Sequence, residues 1–347
     1  MDAGTDLHWC IADLTSDAML GNVQIFRMGP VRDSFQGELG YWLRPGARGR
    51  DTIGEALRPV IAHAFTPLEN GGLGLIRLHA ATDSDNYASQ SILRSAGFTQ
   101  WGADHQAQRR TDGSLSDGVH SELLASELLA SEPPTSGLPA SWPLARTDCR
   151  ATAPLAVEPV TLEGNGILLL KWRHTDVGRV LEACSDERTQ HWLVHSLPSP
   201  YTLEHAHSFI AGLSEEANRG KTLSWCVADA ESDVCVGSVA IIDLRHAIGT
   251  SWEIGYWTHP DARGRGVMSQ AVRLAVRHAF IPREDGGLGR QRLQLIVADG
   301  NSASEHIARV SGFMKVGRDR QAERLDDGTF DDLVRFDLLV DEWDARG

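Results

Sequence analysis

The segment Arg263-Gly264-Arg265-Gly266-Val267-Met268-Ser269 is the densest cluster of chemically suggestive residues in the chain. Two glycines there would let the backbone approach a ligand closely, and N–H groups at the start of a following helix would face an anion. Arg263 and Arg265 would add charge-assisted contacts. The chemistry this suits is phosphate binding, although an ordinary strand-to-helix turn can be written with the same residues. Other candidates also read two ways. Glu323, beside Arg320 and Arg324, fits a solvated charge on a strand, while Asn301 and Ser304 fit a helix N-cap and its first-turn hydroxyl. Trp192 and Tyr201 could line a pocket or fill a core. His191 and the pair His205-x-His207 lack further ligands at matching spacing, so no metal site is expected.

The elements around the loop follow from pattern. Glu253–Thr258 reads as a strand that ends at His259-Pro260, where proline stops the ladder. Met268, Ala271, Val272, Ala275, Val276 and Ala279 recur at helical spacing, so a helix follows Gly266. Leu168–Leu170, Leu223–Ala228, Val234–Leu244 and Arg292–Ala298 read as strands, and Thr175–Cys184, Leu203–Glu216 and Ala303–Val310 as helices. Two last strands flank the turn Asp326-Asp327-Gly328.

The same text occurs earlier in the chain. Residues 38–98 align without a gap onto 253–313, with 29 identities in 61 positions, so the chain carries a duplicated domain. Leu7–Ala12 aligns with Leu223–Ala228, and nothing in the first copy corresponds to roughly residues 160–220. The expected division is a truncated first domain at 1–129, a linker at 130–154 containing Ser131-Glu132-Pro133-Pro134-Thr135-Ser136-Gly137, and a complete domain at 155–347. Each is expected to be α/β, with a mixed, mostly antiparallel central sheet flanked by helices. The repeat Ser121–Leu124 and Ser126–Leu129 reads as a local duplication at the end of a strand.

Charge and composition narrow the function classes. A net charge of −14 argues against a nucleic-acid surface and is compatible with a cationic partner such as an amine. No apolar run of membrane-spanning length occurs, and Met1–Asp6 has neither the basic nor the apolar part of a secretory signal. The five cysteines are scattered without a C-x-x-C pair, as expected for free thiols in a cytoplasmic protein.

Several ordered motifs carry a family likeness: Gly255-Tyr256-Trp257, the loop Arg263-Gly264-Arg265-Gly266, Asn301-x-x-Ser304, Gly312-Phe313 and Gln321-Ala322-Glu323. Together they resemble the GNAT acyltransferase superfamily and its RimJ/RimL-like branch, whose members acetylate protein N-termini and small amines. Met268 departs from the pattern, standing where glycine or alanine is usual. The resemblance implies acetyl-CoA as co-substrate, contacted by Tyr256, Trp257, Thr258, Arg263, Gly264, Arg265, Gly266, Val267, Met268, Ser269, Asn301 and Ser304. It implies Glu323 as general base, Glu253 as a second candidate, and Ser304 at the departing thiolate. A backbone N–H near Tyr256–Thr258 would meet the oxyanion, with Trp192 and Tyr201 on the acceptor side.

The first copy departs at the positions that matter. Asp51 replaces Gly266, Gln108 replaces Glu323, and Pro59 replaces Leu274 inside the helix, where it is expected to kink it. The first copy is therefore expected to be non-catalytic, its sheet edge covered by the second copy or a homodimer partner. The expected activity is acetyl transfer to the primary amine of a protein N-terminus or a small molecule. The rival is a non-catalytic acyl-CoA-binding or protein-interaction module.

Overall fold

The computed structural model describes residues 6–26, 28, 35–49, 51–110, 112–129, 159–193, 196–218, 222–243, 251–325 and 327–344. The expected linker and Leu244, Asp326 and Arg50 lie outside them. The chain packs as two units, Met1–Asp104 with Asp117–Arg150, and His105–Ser116 with Ala151–Gly347.

In chain order the first copy runs β1 (Leu7–Ala12), β2 (Met19–Phe26), β3 (Gln36–Leu43), α1 (Thr52–Phe65), β4 (Arg77–Asp83), α2 (Tyr87–Ser95), β5 (Thr99–Arg109), β6 (Leu115–Leu124) and α3 (Ala125–Leu129). β1, β2 and β3 pair antiparallel in sequence, β3 pairs parallel with β4, and β4 pairs antiparallel with β6. Pro59 does not end α1, which runs through it for 14 residues. The second Ser-Glu-Leu-Leu repeat is not strand. It forms the short helix α3, where Glu127 accepts a hydrogen bond from the Leu124 N–H at 3.0 Å.

The second copy runs β7 (Leu162–Gly164), β8 (Ile167–Leu170), α4 (Val177–Cys184), α5 (Glu187–Trp192), α6 (Leu203–Asn218), β9 (Thr222–Asp229), β10 (Cys235–Asp243), β11 (Ser251–Thr258), α7 (Val267–Phe280), β12 (Arg292–Ala298), α8 (Ser302–Val310), β13 (Met314–Arg324), β14 (Phe330–Leu339) and α9 (Val340–Asp344). β7 to β11 pair antiparallel in sequence, and β12, β14 and β13 pair antiparallel in that spatial order. β7, α5 and α9 are additions to the elements read from pattern.

The parallel junction of β11 with β12 positions the site. Only Ser251, Trp252 and Glu253 pair with Arg292, Leu293 and Gln294; beyond them the two strands part. β10 and β14 stay paired along their outer sides. β3 and β4 repeat the arrangement, pairing only at Gln36, Gly37 and Glu38. The apolar face of α7 (Val267, Met268, Ala271, Val272, Ala275, Val276 and Ala279) is buried against this sheet, and Leu293, Leu295 and Val297 of β12 share its core. A separate core under α4 and α6 contains Trp172, Val177, Val180, Tyr201, Ile210 and Cys226.

One buried ion pair recurs in both copies. Arg292 and Asp337 meet at 3.2 Å in the second, Arg77 and Glu122 at 3.0 Å in the first. All four side chains are almost fully buried, so loss of one partner would strand a charge in the core.

Candidate active site

A cavity of about 860 Å³ opens where β11 and β12 part. It is lined by Glu253, Tyr256, Trp257 and Thr258 of β11, by Leu295–Ala298 of β12, and by the loop and helix start at Arg263, Gly264, Gly266, Val267, Met268 and Ser269. Asn301 and Ser304 of α8, Glu323 of β13 and Trp192 of α5 complete the expected set. Two expected residues stand elsewhere. Arg265 is exposed, 3.7 Å from Asp229, and does not line the cavity. Tyr201 is buried in the core under α4 and α6, where burial pushes its hydroxyl pKa upward.

The loop owes its shape to backbone handedness. Gly264 and Gly266 adopt φ of 73° and 74°, a left-handed conformation that costs an L side chain energy. Open space surrounds both, so their conformation, not crowding, calls for glycine. Gly266 is the N-cap of α7, which leaves the first N–H groups of a 14-residue helix at the cavity wall. In the first copy Gly49 keeps φ at 79°, but Asp51 sits at −57°. Its carboxylate folds over the first turn of α1, where a Cβ on Gly54 would meet Asp51 Oδ1 at 2.2 Å.

The arginine that opens the loop is already engaged. Arg263 donates to Asp186, which caps α5, and to Thr189 Oγ1 at 2.8 Å. Burial pushes Asp186 upward, but hydrogen bonds from Arg263 and the Thr189 N–H outweigh it and hold its carboxyl below the ordinary value. Next to it, His259 Nδ1 meets Asp261 at 2.7 Å, its Nε2 meets Glu182 at 3.1 Å, and Arg179 bridges Glu182 and Asp261. The strand-to-loop corner is thereby tied to α4 and α5.

On α8, Asn301 caps the helix by accepting from the Ser304 N–H at 3.2 Å, so capping and cavity lining coincide. The Ser304 hydroxyl lies 2.7 Å from the Tyr256 hydroxyl. Burial raises the Tyr256 pKa, against the Ser304 hydrogen bond, so this phenol stays protonated at neutral pH.

The two carboxylates reach the cavity differently. Glu253 stands at the last position where β11 pairs with β12, and burial pushes its pKa up to about 7 despite the pull of Arg335. Glu323 follows a bulge in β13, where the register slips between Asp319 and Glu323 and Gln321 takes φ of 50°. The bulge re-aims the strand end, and Asp332 holds it by accepting from the Gln321 N–H at 2.9 Å. The first copy keeps this kink, with Gln106 at φ 49°; the Gln108 side chain lies outside the described residues.

Among the described residues no group of three or more His, Cys, Asp or Glu could hold a metal, and no helix is long and apolar enough to cross a membrane. His205 instead accepts a hydrogen bond from the Thr202 N–H, at the start of α6.

The model for the acetyltransferase (GNAT) domain matches residues 1–99 and 167–314. The chain belongs to the GNAT acetyltransferase family. The match touches both copies. Among curated relatives, YdaF of Bacillus subtilis (strain 168) is 32% identical over 94 residues, covering 27% of this chain and 48% of its own. The ribosomal-protein-serine acetyltransferase of Escherichia coli (strain K12) is 33% identical over 89 residues, covering 26% and 46%. The chain thus spans about half the length of each of these two relatives. A GCN5-related N-acetyltransferase from Brucella melitensis, a solved structure, is 22% identical with a TM-score of 0.46, covering 56% of this GNAT chain and 85% of its own.

Proposed function

We propose that the second copy is an acetyl-CoA-dependent N-acetyltransferase that acts on a primary amine, at a protein N-terminus or on a small molecule. The observation that carries this reading is one cavity shared by a helix start, a pair of parting strands, two carboxylates and a serine hydroxyl. The helix start suits the phosphates of CoA. The gap between β11 and β12 suits an extended arm that uses the unpaired backbone of both strands. The ribosomal-protein substrate named for the Escherichia coli relative favours a protein acceptor within the amine class.

An ammonium acceptor must first lose a proton, since its pKa lies at roughly 8–10. Glu323, directly or through water, takes that proton. The free amine attacks the thioester carbonyl, forming the C–N bond, and a backbone N–H of β11 near Tyr256–Thr258 meets the oxyanion. Collapse breaks the C–S bond. The leaving thiolate takes a proton from the Ser304 hydroxyl, which lies beside the Tyr256 phenol and is restored by the second proton that the attacking nitrogen sheds as the amide forms. The products are an acetamide and CoA thiol, with one proton released to solvent. The first copy, lacking both the carboxylate and the second loop glycine, is the non-catalytic member.

A CoA-release screen with acetyl-CoA against peptides and small amines tests the reading. We expect release with at least one amine class and none with alcohols. Tight CoA binding with no release from any amine would instead favour an acyl-CoA-binding module.

A further inference from the structure

Two arginines line the cavity, Arg188 and Arg263, and only one is free to bind an anion. The Arg263 charge is neutralised by Asp186, and its guanidinium is also spent on Thr189. Arg265, the other loop arginine, points to Asp229 and does not line the cavity. Arg188 has no hydrogen-bond or ion-pair partner among the described residues, and it is exposed on the cavity wall. It adjoins Thr189, the residue that holds Arg263, so α5 carries Arg188 next to the loop whose Gly264 and Gly266 line the same space.

We infer that Arg188 supplies the guanidinium that meets a phosphate group of CoA, and that Arg263 is a positioning residue that braces α5 against the loop. The inference rests on the reading of the cavity as a CoA site. Three facts carry it together. A polyanion entering here meets the first N–H groups of α7, which have no partner within the helix and attract but carry no full charge. The nearest loop guanidinium is already paired, and releasing it would expose the Asp186 carboxylate to the ligand. Arg188 adds a full positive charge at no such cost, in the five-donor fork that fits phosphate oxygens. The first copy, by contrast, carries Asp51 in place of the second loop glycine.

The test is calorimetric titration of the full chain with CoA, 3′-dephospho-CoA and pantetheine, for wild type, Arg188→Ala and Arg188→Lys. Arg188 is exposed and unpaired, so the variants should unfold at the wild-type temperature. CoA affinity should fall about tenfold or more in Arg188→Ala, recover in part in Arg188→Lys, and lose less as salt is raised. Pantetheine, which lacks the phosphates, should bind all three proteins alike. A penalty that persists with 3′-dephospho-CoA assigns the contact to the pyrophosphate; one that vanishes assigns it to the 3′-phosphate. A CoA affinity within twofold of wild type in Arg188→Ala overturns the inference and leaves Arg188 to the acceptor. Failure of wild type to bind CoA at all overturns the cavity reading itself.

Discussion

The Tyr256 hydroxyl sits 2.7 Å from that of Ser304, and Tyr41 with Ser89 reproduces the contact at 2.8 Å in the first copy. In both, the tyrosine also donates to the serine carbonyl, at 3.3 Å and 3.1 Å. The contact therefore ties a strand to a helix whether or not a base is present. The proposed proton-donating role of Ser304 would therefore be layered on a structural one. Activity is better localised by residues on which the copies differ.

Glu323 is the first such residue. Glu323→Gln installs the first copy's side chain and should keep the fold and CoA affinity while lowering turnover by about 10²-fold or more. Steady-state rates from pH 6 to 9, with CoA calorimetry beside them, check this. A near-wild-type rate across that range would remove Glu323 as base and pass the role to Glu253.

Gly266 is the second. Gly266→Asp forces a side chain onto φ of 74° and brings a carboxylate to the start of α7, as Asp51 does over Gly54. CoA affinity should drop at least tenfold through like-charge repulsion and a redirected helix start. Calorimetry showing unchanged affinity would mean that the loop does not receive the phosphates.

Because the first copy has Asp51 at its loop and Gln108 in place of Glu323, the intact chain should bind one CoA. A fitted stoichiometry of two, with the second site abolished by Gly49→Asp, would make this a two-site protein.

Glu253 makes a prediction about pH. Its folded pKa of about 7 lies above the ordinary carboxylate value of 4.5. The native state thus holds a proton that the unfolded chain has released, and stability falls as pH rises from about 4.5 to about 7. Glu253→Gln should remove that penalty and raise stability at pH 8, by an amount on the order of 1–3 kcal/mol. Denaturant midpoints at pH 4.5 and 8 decide it. A variant that loses stability at pH 8 would show the carboxylate to be a favourable partner there.

Much of the frame was legible from residue order. The period of Met268, Ala271, Val272, Ala275 and Ala279 located α7, and proline at 260 marked the strand end, because burial of one face and loss of a ladder donor act locally. The six-residue α5 escaped notice, since two turns hold too little period to read. The partner of Arg263 lies 77 positions away, a separation that no local pattern encodes. The left-handed Gln321 was equally silent, because glutamine carries no preference for the conformation that the bulge imposes. Tyr201 went to a core and Trp192 to the cavity, a choice made by packing between distant helices.

The carboxylate that lies over the first turn of α1 gives the two copies different dependence on supply. The first copy holds its counter-anion covalently, at a fixed local concentration. On the proposed reading the second copy takes its anion from solution, so its share of stability would rise with the supply of CoA.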